Sequence, residues 1–325
     1  MGTPSPFPVV PAFAARRPFL HARHGEAFAV ALAELLGGPS ADPRHSAAVI
    51  PAAAIPGLVA RFDLDGVEEL MTLALEPARA LARPPVSGYH VGAVALCEPS
   101  GDLLLGGNLE LPGGSIWQTI HGEGFVTVLA RTRGQRIRTL LTTQARPCAH
   151  CRQVLAEAEG GMDLRMIDPV GHAIRLEDVY PWPFAPRDLG MEGALPHRRP
   201  FASIAVGVGP AADGTELPPI VRDLLEAEGG RAHAPYSGVT AAVVLRLRDG
   251  RLIGGSVLES VAFNPTIGPA QDALVGVLAA GSDWPEVVEA WLAVGRGATV
   301  NHETPSRDAL AAACPTAALH VTYWA

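Results

Sequence analysis

Apolar and polar positions alternate along this chain in two rhythms, one of helices and one of strands. Around Gly25 to Leu36 alanine and leucine recur at helical spacing, within residues 1–62, which otherwise carry proline-rich extended sequence. From Leu64 the run Val67, Leu70, Met71, Ala74 and Leu75 falls on one helix face, with Asp63 or Asp65 as caps and an end or kink near Pro77. A hairpin follows, from the apolar run Val91 to Cys97 through the turn Pro99-Ser100-Gly101-Asp102 to Leu103–Leu105. The pattern then predicts a helix near Glu123 to Arg133, a strand at Arg138 to Thr142 and a helix from Cys151 to Ala158. Strands interleaved with helices in this way make a layered α/β unit.

The second half repeats the theme. Tyr89-His90-Val91-Gly92-Ala93, Gly101-Asp102 and Gly106-Gly107-Asn108-Leu109-Glu110 are echoed by Tyr236-Ser237-Gly238-Val239, Asp249-Gly250 and Gly254-Gly255-Ser256-Val257-Leu258-Glu259. Two copies of one core are expected, which divides the chain into a helical segment 1–62, a core 63–190 and a second core 191–325.

Composition narrows the class. With 48% hydrophobic and 18% charged residues in 325, the chain can bury a large core. Its apolar stretches, such as Ala47 to Ala60, are broken by Pro51 and Pro56, so no membrane helix is expected. Arg16 and Arg17 follow rather than precede apolar residues, so the start does not read as a secretory signal and a cytoplasmic location is expected. A formal net charge of −8 without a basic block would repel a polyanion, which makes nucleic acid a poor partner.

Four cysteines, 97, 148, 151 and 314, are too few to staple such a chain, and a Cys-x-x-Cys pair asks for metal or redox chemistry. The pair sits in Pro147-Cys148-Ala149-His150-Cys151, downstream of His121-Gly122-Glu123. His121, Cys148 and Cys151 offer zinc three nitrogen and sulfur donors, and a catalytic site leaves its fourth position to water. Both segments read as helix starts, where free amides and the positive dipole end favour thiolates. Glu123 lies two residues from a ligand and is left to move protons. Taken singly, the Cys pair could be structural or redox-active and the His-x-Glu a polar helix start; a closed structural site would need a fourth donor, from Cys97, His150 or Cys314.

The combination His-x-Glu with Pro-Cys-x-x-Cys is that of zinc nucleobase deaminases. With Val91-Gly92-Ala93, Asn108-Leu109-Glu110, Gln118 to Glu123, Pro147 to Gln153, Phe184 to Leu189 and Ala262 to Thr266, the chain resembles the cytidine deaminase family in its long two-core bacterial form. The resemblance runs from about Leu64 to about Ala293. It implies a three-layer α/β/α fold with a mixed sheet, duplicated into one active and one degenerate core after an N-terminal helical segment. The implied activity is hydrolysis of cytidine and 2′-deoxycytidine to uridine and 2′-deoxyuridine with release of ammonia, in pyrimidine salvage.

The resemblance also implies that Asn108 and Glu110 hold the ribose, that Tyr89 and Phe184 flank the pyrimidine, and that backbone around Gly122 meets the ring's polar edge. One Zn2+ per chain is implied, with a homodimer whose active sites lie near subunit contacts, where Ala262-Phe263-Asn264 would line a neighbour's pocket. Counting from Glu259 as from Glu110, the second core places Pro269-Ala270-Gln271 where ligand and proton carrier belong, so it is expected to lack chemistry. Gly122 and Gly124 stand where the family has alanine and glutamine, and Tyr89 and Ala149 depart from its phenylalanine and glycine. Glycine there is expected to leave room for a larger base, which keeps open a specialised deaminase of a modified cytosine nucleoside or nucleotide. A non-catalytic zinc-binding homologue is the other alternative.

Overall fold

The computed structural model describes residues 11–37, 47–143, 147–168, 171–191, 207–212, 214 and 216–324. The proline-rich start and most of the stretch after the expected boundary at 190 lie outside them. Two units are distinguished: one from 1–84, 88–109 and 121–197, the other from 85–87, 110–120 and 198–325.

The first unit runs α1 (Pro11–Leu36), β1 (Val49–Ile50), α2 (Ile55–Arg61), α3 (Val67–Arg79), β2 (Gly92–Glu98), β3 (Leu103–Gly107), α4 (Gly122–Thr132), β4 (Arg136–Thr142), α5 (Ala149–Glu157), β5 (Arg165–Ile167), β6 (Ala173–Arg175) and α6 (Leu176–Val179). Neither aspartate caps α3: its N-cap is Gly66, without a side-chain cap, and Asp65 instead offers its backbone N–H to Glu69 (2.8 Å). Pro77 lies inside α3, whose last turn continues to Arg79, and has no amide to give to the helix ladder.

Its sheet has the order β1-β3-β2-β4-β5-β6, with β4 and β5 parallel and the other neighbours antiparallel. β3 is buried at every position, because both faces are covered, and a doubly covered strand reads as a continuous apolar run rather than an alternation. Consecutive glycines show the two covers. A Cβ on Gly107 would meet the Ala82 backbone nitrogen at 2.4 Å, just beyond α3, whereas one on Gly106 would meet Phe125 of α4 at 2.8 Å. Neighbouring residues of a strand point to opposite faces, so α3 and α4 sandwich the sheet in three layers. Leu103, Leu104 and Leu105 fill the space between, each stabilising the core by about 1.5–3 kcal/mol.

The second unit runs β7 (Val208–Ala211), α7 (Pro219–Arg231), β8 (Ala242–Leu247), β9 (Leu252–Ser256), α8 (Pro269–Ala279), β10 (Val287–Val294), α9 (Glu303–Ala313) and β11 (Ala318–Trp324). Its sheet order is β7-β11-β10-β8-β9, again with one parallel pair, β10 with β11. Gly254 and Gly255 repeat the layering: a Cβ on one would meet Glu228 of α7, on the other Ala273 of α8.

The duplication is therefore present, in a register different from the one read in the sequence. Glu110 accepts hydrogen bonds from the Val86 and Ser87 amides (2.9 and 2.8 Å), and Glu259 from those of Tyr236 and Ser237 (2.9 and 3.2 Å). The glycines that follow, Gly88 and Gly238, share φ values of 67° and 70°. Tyr236 thus corresponds to Val86, not to Tyr89. The Tyr-anchored match aligned two letters and missed the backbone turn that the paired glutamates fasten.

Candidate metal centre

Two helix starts carry the predicted chemistry. His121 is the N-cap of α4, with extended backbone (φ −82°, ψ 164°), and Cys148 is the N-cap of α5 (φ −70°, ψ 175°). Cys151 follows within the first turn of α5 and Glu123 within that of α4. The two helices pack on each other, so their free amides and positive ends serve the same neighbourhood. Arg152 secures the entry to α5 by donating from Nε to the Pro147 carbonyl (2.9 Å).

The three donor atoms form a near-equilateral triangle: Cys148 Sγ to His121 Nδ1 3.5 Å, Cys151 Sγ to His121 Nδ1 3.4 Å, and Sγ to Sγ 3.5 Å. Donors held tetrahedrally at zinc's ordinary bond lengths lie roughly 3.6–3.8 Å from one another. The residues fit the ion. Among the described residues this is the one such group, and Cys97, His150 and Cys314 are not in it. A closed four-donor site therefore finds no support among the candidates named for it.

The electrostatics suit the same use. The hydrogen bond between Cys148 and Cys151 first, then that with His121, draws the Cys148 thiol down to about 3. Cys151 is pushed well up by its bond to Cys148 and by burial. Burial likewise raises the Glu123 carboxyl, which lies in hydrogen-bond contact with Cys151 and is only 5% exposed.

Two regions, residues 65–162 and 176–307, match sequence models of the cytidine and deoxycytidylate deaminase zinc-binding region, and together they take in well over half of the chain. The chain belongs to this family. It is a hydrolytic deaminase and its metal is zinc. Solved cytidine deaminases are similar to it over one core's length. That of Mycobacterium tuberculosis is 31% identical, covering 37% of this chain and 98% of its own, with a TM-score of 0.34. That of Mycobacterium leprae is 26% identical over 36% and 100%, TM-score 0.32, and that of Burkholderia pseudomallei 21% over 32% and 83%, TM-score 0.29.

The remaining residues singled out in the deaminase sequence are less gathered. Asn108 is buried and bridges backbone: Oδ1 accepts from the Val91 amide (2.8 Å) and Nδ2 donates to the Tyr89 carbonyl (2.9 Å). Glu110 belongs to the second unit and, besides the two amides, accepts from the Ser87 hydroxyl (2.6 Å). Tyr89 and Phe184 are exposed rings in the first unit. At Gly122 the expected room is missing: a Cβ would lie 3.1 Å from Ala93 Cβ, because the start of α4 is pressed against β2.

Gln153, quoted in the motif without a role, proves to be a tie. Its Nε2 donates to the Phe184 carbonyl (2.8 Å) and to Glu157 (2.6 Å), and its Oε1 accepts from the Tyr180 hydroxyl (2.6 Å). With Arg152, which reaches the Val179 carbonyl (3.1 Å), it fastens the segment carrying Phe184 to the helix carrying the cysteines. Nothing local in the sequence announces this pairing across 31 residues.

Proposed function

We propose that the deaminase hydrolyses cytidine and 2′-deoxycytidine to uridine and 2′-deoxyuridine, as a step of pyrimidine salvage in the cytoplasm, using one zinc held by His121, Cys148 and Cys151. The observation that supports this reading is the triangle of donors with a buried carboxyl, Glu123, beside it. Zinc bound there supplies Lewis acidity, which brings water ionisation toward neutral pH. Glu123 accepts one proton of the attacking water and gives it to ring N3, then takes the proton of the new C4 hydroxyl and gives it to the departing amine, so that a C4–O bond replaces C4–N and ammonia leaves. Its raised pKa suits a group that must both take and give a proton.

Asn108 and Glu110 are assigned to the ribose, Tyr89 and Phe184 to the faces of the base, and backbone near Gly122 to its polar edge. Residues 63–190 are read as the working core and 191–325 as the degenerate one. A homodimer is part of the proposal, supported by apolar rings left in solvent, among them Trp182 at 89% exposure. Nucleic acid is not a proposed partner, given the net charge of −8. Among the described residues no helix is long and apolar enough to cross a membrane.

A substituted cytosine as the preferred base rested on space at the two glycines, and the contact of Gly122 with Ala93 withdraws half of that support. The test is Glu123→Gln, measured for zinc content and ammonia release. Retained zinc with turnover lowered about 10²–10⁴-fold is expected. Wild-type protein that holds zinc yet releases no ammonia from cytidine or 2′-deoxycytidine would defeat the proposal.

A further inference from the structure

The segment that carries Phe184 is irregular, running from the end of α6 into a short 3-10 turn, Pro186–Leu189, and its rings face solvent: Phe184 is 41% exposed and Trp182 89%. A surface loop with few buried contacts has little of its own to hold it in one conformation. Here the peptide group between Phe184 and Ala185 is gripped at both of its polar ends. Its carbonyl accepts from Gln153 Nε2 (2.8 Å), and its N–H donates to the Asp188 carboxylate (2.8 Å). A peptide unit is planar, so these two bonds fix the plane and with it the backbone from which the Phe184 ring projects.

The grip on the carbonyl comes from the interior. Gln153 is 3% exposed, and its amide is not free to turn: Nε2 also donates to Glu157 (2.6 Å), itself buried, and Oε1 accepts from the Tyr180 hydroxyl (2.6 Å). A buried amide with three bonds satisfied is held as firmly as the helix that bears it. That helix is α5, and Gln153 lies two residues from Cys151. Arg152, between them, donates to the Pro147 carbonyl beside Cys148 and to the Val179 carbonyl at the end of α6 (2.9 and 3.1 Å). All of these residues belong to the first unit. Three consecutive positions of one helix thus carry a metal donor, a brace to the segments on either side, and the hold on Phe184.

We infer that Gln153 and Asp188 are positioning residues for the pyrimidine: by fixing the peptide group that follows Phe184 they set its ring against the base, and so govern affinity for a flat heteroaromatic base without entering the zinc chemistry. This rests on Phe184 flanking the base, as proposed above.

Gln153→Met keeps the side-chain length and loses every hydrogen bond of the amide. Asp188→Ala, at an exposed position, loses the grip on the N–H and leaves the core untouched. Stacking on an aromatic ring is worth about 5–150-fold in affinity per base, so in the full-length zinc protein KM for cytidine should rise about tenfold in Gln153→Met and about threefold in Asp188→Ala. Loss of binding common to ground and transition states leaves kcat unchanged, and the zinc dissociation constant should stay that of wild type. Made in a Phe184→Ala background, the same substitutions should raise KM no further, because residues that act through one ring are not additive. A merely structural role would instead weaken zinc binding and lower kcat. A wild-type KM in either folded variant, weakened zinc binding, or a rise in KM that persists in full without the ring would overturn the inference. Phe184→Ala by itself keeps the two readings apart. If its KM equals that of wild type, the assignment of Phe184 to the base falls; if its KM rises while those of Gln153→Met and Asp188→Ala do not, only the positioning role falls.

Discussion

At the scale of single residues, the four cysteines divide by environment. Cys97 is fully buried in β2 and its thiol is pushed up to about 12, chiefly by burial; Cys314 is pushed up to about 11 for the same reason. Cys148 is exposed and drawn down to about 3. Thiolate, not thiol, is the nucleophile. In chelator-treated protein at pH 7.5, iodoacetamide should therefore modify Cys148 and spare Cys97 and Cys314 while the fold is intact, and added zinc should protect Cys148. Peptide mass spectrometry would check this, and labelling of Cys97 before Cys148 would contradict it. The group His121, Cys148 and Cys151 was legible, because two short motifs, each at the start of a helix, carry all three donors. The space expected at Gly122 was not legible, because what a missing methyl leaves open depends on Ala93, which lies on another element.

Elements tell the same story at longer range. The helices and strands read between Leu64 and Ala158 lie within a few residues of their observed ends, since burial on both faces leaves continuous apolar runs and a covered helix leaves one stripe, whereas the short β5, β6 and α6 were not predicted. The helix does end near Pro77, two residues beyond it, because close to a C-terminus the amide that proline lacks costs a single bond. The register of the duplication was misread because glutamate-to-amide ties across 23 or 24 residues leave no mark on local composition. Close approach of elements yields a contrast in stability. Gly107→Ala places a methyl 2.4 Å from the Ala82 nitrogen, and pushing backbone aside should cost about 1–3 kcal/mol. Gly57→Ala, within α2 and with nothing inside 4 Å, should raise stability by about 0.5–1 kcal/mol. Urea denaturation of the two variants should move the midpoint in opposite directions; equal midpoints would mean that α3 and β3 do not meet as closely as described.

On the scale of the whole molecule, one histidine links pH to stability. Burial holds His302 below its ordinary 6.5, against the opposing pull of Glu259 and of a hydrogen bond to the Val239 carbonyl. Being neutral in the fold and more basic when unfolded, it lets the unfolded chain bind the extra proton. Its contribution is thus complete above about pH 6.5 and is lost as pH falls through its lowered folded value, by no more than about 1.4 kcal/mol per pH unit. His302→Asn, which keeps a helix-capping residue at the start of α9, should flatten the fall in urea midpoint between pH 7.5 and pH 5.5. An unaltered slope would assign the acid sensitivity to other groups.

The helix starts also bear on what could be built from this chain. Gly268 and His302 are the N-caps of α8 and α9, as His121 and Cys148 are of α4 and α5, so building a second such centre there would require histidine at Gly268, glutamate at Ala270 and cysteines at His302 and Pro305, four replacements of which none alone yields a ligand set. Those replacements would also fall beside the hydrogen bonds that Gln118 makes to the Pro305 carbonyl and accepts from Gln271. A designer wanting two ions per chain would do better to duplicate the first core than to rebuild the second.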